Sequence, residues 1–269
     1  MKQLRAEYYK LKYSRSTIWV AVFMFVMLMM PFIVGNDTLF MTFGDYQNID
    51  SIGWICYVAD VHNARFEEIA RFALSVNFFM WIGLSVYITT MLSKEYQTGT
   101  LKLPVLYGTS KMKVLLDKLI VLNAYFFSLY FIVEMILAFS LGSKYGFHFE
   151  LNQIFTFIGV ILLNAMAMIG LEFFAVILTI IFKNSGIVTT AVCVWFFAGA
   201  ITYPMVYENM EIRSLPIKIF CAINPTTYMY NICGYRMTLS VIQGTIIFFL
   251  CCCVIGILLM YLLLRKQEF

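Results

Sequence analysis

A chain of 269 residues that is 62% hydrophobic and only 13% charged departs far from a soluble domain, which runs at about 45–50% apolar and about 25% charged. A water-soluble single core is excluded. The formal charge of +4 comes with no basic stripe interleaved with exposed aromatics, so no nucleic-acid partner is expected.

Apolar runs near the roughly 20 residues that a hydrocarbon layer of about 30 Å asks of an α-helix occur at 18–34, 72–92, 119–141, 154–182, 186–206 and 239–264. The expected fold class is an all-α membrane protein: one membrane domain of six transmembrane helices over 18–269, preceded by an N-terminal arm, 1–17. In the arm, Leu4, Tyr8 and Leu11 at i, i+4, i+7 stand against Lys2, Arg5, Glu7, Lys10, Lys12 and Arg15. This predicts an amphipathic interfacial helix with membrane lipids as its partner; a plain positive-inside anchor is the other reading. The first run has the basic flank of a signal peptide, but no small-x-small site follows Val34, so it reads as a span. Pro31 is tolerable near its end.

An outer loop, 35–71, follows with Asp37, Asp45, Asp50, Asp60, Glu67 and Glu68. It is too long for a tight hairpin and predicts a small lid-like structure. A compact polar island, 93–118, then separates the second and third runs. Only 142–150 joins the third and fourth runs and only 183–185 the fourth and fifth, so both pairs are expected to be antiparallel neighbours. The stretch 207–238 carries Pro216 and Asn224-Pro225, which break regular helix and predict short outer helices or a re-entrant turn. With an even number of spans both termini share one side, and 13 of the 19 lysines and arginines fall there: the arm, Lys94, Lys102, Lys111, Lys113, Lys118, Lys183, Arg265 and Lys266. By the positive-inside rule that side is cytoplasmic, giving a multi-pass protein of the plasma membrane.

The residues that carry chemistry are few. Gly108-Thr109-Ser110-Lys111 lacks the spacing of a Walker phosphate cradle, so this chain is not expected to bind or hydrolyse ATP. His62 and His148 stand alone in outer loops, and no metal site is expected. Glu67-Glu68 followed by Arg71 is similar to the signature of intramembrane CAAX-type proteases, with the arginine one residue early and no histidine within a span; no catalytic residue is assigned. Glu134 and Glu172 do fall within spans, where a carboxylate costs about 2.5–3.5 kcal/mol at helix centre and marks a cavity, partner or proton path. By helical rise Glu134 lies in the outer half, where snorkelling to the interface is favoured. Glu172 lies near the midplane, which favours an interhelical or cavity role. Asn77, Asn123 and Asn164 are further polar groups able to bond between helices. A secondary transporter with Glu134 or Glu172 as proton relay is therefore an alternative reading. Of the seven cysteines, Cys251 to Cys253 read as small apolar packers, and for Cys221 and Cys233 pairing is left open.

The polar island carries the most specific signal. Glu95-Tyr96-Gln97-Thr98-Gly99-Thr100-Leu101-Lys102, then Leu106-Tyr107-Gly108-Thr109-Ser110-Lys111, resembles the Glu-x-x-x-Gly-Thr-Leu-Lys element of ABC-2-type permeases, placed between second and third spans as in that family. The arm Arg5-Ala-Glu7-Tyr-Tyr-Lys10-Leu-Lys12 is similar to the opening of the lantibiotic-immunity and bacitracin-export branch. The resemblance implies an ABC-2 exporter fold, with the island as a coupling helix seated in a separate ABC ATPase. Glu95, Gly99, Thr100, Leu101, Lys102, Leu106, Lys111 and Lys113 would be the coupling residues. It further implies two ATPase copies holding ATP and Mg, a second permease copy or paralogue, and an amphipathic or antimicrobial peptide as cargo. Gly108-Thr109-Ser110-Lys111 stands where members of the family often have a Pro-x-Ser/Thr-Arg turn.

Overall fold

The computed structural model describes residues 2–33, 65–74, 76–207, 214–233 and 237–266, and every regular element among them is helical. The acids Asp37, Asp45, Asp50 and Asp60 of loop 35–71, with His62, lie outside the described residues. Helices α1 (Lys2–Lys12) and α2 (Arg15–Ile33) meet at a 66° bend. The Thr17 hydroxyl donates to the Leu11 carbonyl at 2.7 Å and so holds this elbow. Next come α3 (Phe66–Leu74), α4 (Asn77–Thr98), the one-turn α5 (Lys102–Leu106) and α6 (Lys111–Lys144). The remainder is α7 (Leu151–Phe182), α8 (Ser185–Tyr207), α9 (Leu215–Ile223), α10 (Pro225–Cys233) and α11 (Leu239–Lys266).

Five stretches are long and apolar enough to cross a membrane: Phe66–Thr98, Lys111–Lys144, Leu151–Phe182, Ser185–Tyr203 and Leu239–Lys266; the bent α1–α2 pair makes a sixth if it counts as one span. The helices outrun the apolar runs that announce them. With 34 residues, α6 is about 51 Å long at 1.5 Å per residue, well beyond a hydrocarbon layer of about 30 Å. Its extra turns, Lys111 to Lys118, are helical because the Ser110 side chain accepts from the Lys113 N–H and caps them.

One expectation is corrected. The inward face of α1 consists of Glu7 and Leu11, with Leu4 half-buried, while Tyr8 points outward; the sequence pattern put Tyr8 on the apolar face and Glu7 on the polar one. The short connections do join neighbours: α7 packs on α8 and meets α6 through Asn123–Glu172 and Asn164–Tyr130, although its closest backbone contacts are with α11, α4 and α10 and those of α6 are with α1, α2 and α3. The α7–α11 contact depends on reciprocal glycines: a Cβ on Gly170 would meet Phe248 at 2.5 Å, and one on Gly256 would meet Phe173 at 2.6 Å. Within 207–238 the chain forms the short helices α9 and α10, and α10 is buried in the bundle against α7 and α8, with Thr226, Met229, Tyr230 and Ile232 enclosed. Asn224 starts it, since its Oδ1 accepts from the Thr226 N–H and hydroxyl and its Nδ2 donates to the Trp195 carbonyl at 3.0 Å. Cys221 lies beside Thr202 and Cys233 beside Asn77, and no disulfide joins the two.

Candidate coupling site

Gly99 ends α4 in the left-handed region (φ 69°, ψ 8°), its N–H donating to the Tyr96 carbonyl. A side chain there would be strained, so the sharp exit needs this residue. Pro104 sits in the first turn of α5, where a missing N–H costs nothing. Gly108, again at positive φ (85°), turns the chain back to Ser110 and α6. Two glycines, a proline and a serine cap thus cut the island into a helix end, a one-turn helix and a helix start.

The structure separates the predicted coupling residues into two sets. Lys102, Leu106 and Lys113 face outward, and Leu103 and Tyr107 join them; Leu106 is 79% exposed and Tyr107 88%. Leu101 is buried, and Thr100 is half-buried with its hydroxyl 3.1 Å from that of Thr98. The Lys111 ammonium donates to the Leu264 carbonyl of α11 at 3.4 Å, which ties the island to the C-terminal helix. Gln97 donates to the carbonyl of Lys183 at 3.3 Å. The N-terminal arm, the island, the α7–α8 turn and the end of α11 therefore gather at one end of the bundle, as the distribution of basic residues requires.

Glu95 belongs to neither set, because it turns inward onto Lys118. The Lys118 ammonium, on α6 and only 3% exposed, donates to Glu95 of α4 and to Glu7 Oε2 of α1 at 2.7 Å. Lys10 closes the cluster with a 2.8 Å bond to Glu7 Oε1. Two carboxylates balance two ammoniums, so the buried charges are all paired, which is the condition for tolerating them. Burial pushes the Glu7 carboxyl up, but the Lys118 charge and the hydrogen bonds from Lys10 and Lys118 outweigh it and leave Glu7 below its ordinary value. One lysine thus pins three helices beside the island. Sequence reasoning missed Lys118 and Glu7 as a pair; the available signal was a lysine abutting an apolar run and a lone acid in a basic arm.

The polar groups within the spans divide similarly. Asn123 of α6 donates to Glu172 Oε1 of α7 at 2.7 Å, an interhelical bond. Asn164 of α7 donates to the Tyr130 hydroxyl of α6 at 2.7 Å, and Asn77 to Cys233 at 3.7 Å. Glu134, for which snorkelling predicts a wet carboxylate, is fully buried. Glu67 and Glu68 stand in the first turn of α3, and Glu68 accepts from the Arg65 N–H at 3.0 Å, which is what a carboxylate at a helix start does.

Several helices long and apolar enough to cross a membrane, with an exposed turn, a basic arm and the end of α11 gathered at one pole, make this a multi-pass membrane protein. The chain matches the ABC-2 family transporter proteins over residues 3–200 and belongs to that family. No curated protein and no solved structure matches it.

Proposed function

We propose that the chain is the permease subunit of an ATP-driven exporter of the plasma membrane, with both termini and the 93–118 segment in the cytoplasm. Two copies of a separate ABC ATPase, holding ATP and Mg, dock on the α5 turns of two permease subunits. The observation that carries this reading is the exposed tip Leu103, Leu106 and Tyr107, flanked by Lys102 and Lys113. It stands off from the bilayer: from Leu119, where the apolar run begins, α6 continues for two turns to Lys111, about 12 Å at the helical rise. Head groups add only about 5–8 Å on each side of the hydrocarbon. A protein groove, rather than lipid, is the occupant that such a tip suits.

Movement then passes inward through the Lys118 cluster, so that α1, α4 and α6 shift together and the spans exchange between two exposures of the substrate path. Glu95 acts here as a positioning residue and Leu106 as a docking residue. The cargo is an amphipathic or antimicrobial peptide expelled from the membrane, in keeping with the similarity of the arm to the lantibiotic-immunity and bacitracin-export branch. Glu172, Asn123, Asn77 and Asn164 line or brace the spans that move.

The test co-reconstitutes the chain with a candidate ABC ATPase subunit and reads ATP-driven peptide efflux together with ATPase turnover. Glu95→Ala and Gly99→Pro are expected to uncouple the two while leaving membrane insertion intact. Efflux by the purified chain alone would refute the reading. So would labelling of a Lys102→Cys variant, in an otherwise cysteine-free chain, by an impermeant maleimide added outside intact cells.

A further inference from the structure

Asn123 of α6 and Glu172 of α7 are bonded to each other and still leave something over. The Asn123 amide N–H donates to Glu172 Oε1 at 2.7 Å, which brings the two planar groups into contact. Each then keeps one enclosed oxygen without a hydrogen bond, Asn123 Oδ1 and Glu172 Oε2. Enclosed polar atoms are normally satisfied, so two orphans on one bonded pair ask for a common cause.

An ionised carboxylate does not supply one. It only accepts, so both orphans would be lone-pair oxygens with nothing to share. Glu172 is also 3% exposed, and no ion pair among the described residues includes it. Cys253 of α11 lies close enough to feel a charge there, but a thiol offers no positive one. A protonated carboxyl changes the count, because its O–H is a donor. Placed on Oε2, that donor reaches for Asn123 Oδ1, on the group that Oε1 already touches. One proton then satisfies both orphans and closes a ring of two hydrogen bonds, N–H to Oε1 and O–H to Oδ1. Water could bridge the same atoms, but it would leave a buried charge unpaired, the costlier arrangement.

The place of the pair gives it a task. Backbone contact between α6 and α7 is slight, and two side-chain bonds cross the seam: this one, and Asn164 to Tyr130 at 2.7 Å. They run in antiparallel order, 123 to 130 on α6 and 172 to 164 on α7, about two helical turns each way. On one side of the seam α6 carries Lys118 and the exposed turn; on the other α7 packs on α4, α10 and α11.

We infer that Glu172 keeps a proton and, with Asn123, forms a closed carboxylic acid–amide clasp, a positioning pair that carries α6 and α7 together when the permease moves. Its part in that movement rests on the exporter reading; its proton and its hold on α6 do not. A proton relay through Glu172 is the opposite device, since a relay must release what the clasp has to keep.

The test uses the full chain in phosphatidylcholine nanodiscs at neutral pH. The infrared difference between the parent chain and Glu172→Gln should show loss of a protonated-carboxyl C=O band that shifts in D2O, and no loss of a carboxylate band. Glu172→Gln should leave Tm unchanged, because a glutamine amide donates and accepts at the same two places. Glu172→Leu and Asn123→Leu should each lower Tm by several degrees, and together by much less than their sum, as for partners in one interaction. Co-reconstituted with a candidate ABC ATPase subunit, Glu172→Gln should retain ATP-driven efflux and Glu172→Leu should lose most of it. A lost carboxylate band would overturn the inference, as would leucine costs that simply add, or efflux abolished by Glu172→Gln. Should the leucine variants fail to fold, the infrared difference and the glutamine variant decide. Absence of efflux from the parent chain would strike the exporter reading instead, and the infrared and thermal results would still decide the clasp.

Discussion

Two sets of buried ionisable groups sit in this molecule, at the basic end and in the opposite half, and the same physics treats them differently. At the basic end Lys118 meets Glu7 and Glu95 and Lys10 meets Glu7, so every charge drawn out of water finds its opposite on another element. In the opposite half Glu134 has no partner. A paired cluster contributes little net stability over an apolar isostere, but it fixes which helices move as one. An unpaired carboxyl fixes nothing until something joins it. The first therefore suits force transmission within the chain, and the second keeps its carboxyl neutral among packed helices.

The largest effect is expected where pairing is broken from its centre. Lys118→Met takes away the cation that Glu7 and Glu95 share, leaving Glu7 only the half-exposed Lys10, and should cost about 3–5 kcal/mol, the usual loss when one partner of a buried pair is removed. It should show as a lower unfolding temperature and as protease cleavage in α1. Adding Glu7→Gln and Glu95→Gln to the same chain should recover most of the stability, because the uncompensated charges go with them. If Lys118→Met unfolds like the parent protein, the cluster is not the joint between α1, α4 and α6, and the contrast between the two ends fails.

A smaller loss is expected at the turn that places the tip. Gly99→Ala retains the chain length and leaves open space around the new methyl, but forces an L-residue to φ 69°, costing about 1–2 kcal/mol. ATP-driven efflux should fall further than thermal stability does, because the direction of α5 changes. Equal losses in both would make Gly99 a stability residue only.

Acid sharpens the comparison without mutation. The folded Glu7 carboxyl lies below its ordinary value of 4.5, so its contribution is fully present above that value and is lost as pH falls through the lower folded one. Cleavage in α1, which reports its release from α6, should therefore stay flat from neutral pH down to about 4.5 and rise only below it. In Glu7→Gln the rise attributable to this group should vanish. Onset near neutrality would show that Glu7 is not held by Lys118.

Much of this was legible in the sequence, and the failures share a cause. Apolar runs report where a helix is in hydrocarbon, so the spans were found while the two extra turns at Lys111 to Lys118 were not; those turns depend on the Ser110 cap and contain charge. Gly99 and Gly108 stand at the breaks on either side of α5, where the constraint on the backbone is local. The partnership of Lys118 with Glu7 was invisible because it joins positions 111 residues apart through the packing of α1 on α6. Nothing in a sequence period tells a buried salt bridge from a solvated one. Glu134 failed in the opposite direction: helical rise fixed its depth, but whether it faced lipid, water or protein was set by how α6 packs on its neighbours, which no local pattern reports.

The smallest structural effect should accompany a complete loss of function, and it separates the docking tip from everything behind it. Leu106 is 79% exposed on a helix of a single turn that packs on α6, so Leu106→Asp removes almost no buried area. Stability should change by no more than about 0.5 kcal/mol, as for surface positions generally, and the ion cluster should keep its acid profile. Docking is a different matter: an aspartate would have to be desolvated in the ATPase groove that receives the leucine, a cost the protein alone never meets. ATPase stimulation and efflux should both disappear while the unfolding temperature stays put. Leu106→Met, which preserves apolar volume, should retain both. If Leu106→Asp works normally, force enters the permease elsewhere, and the Lys118 cluster must be a packing feature of α1 and not a link in the drive.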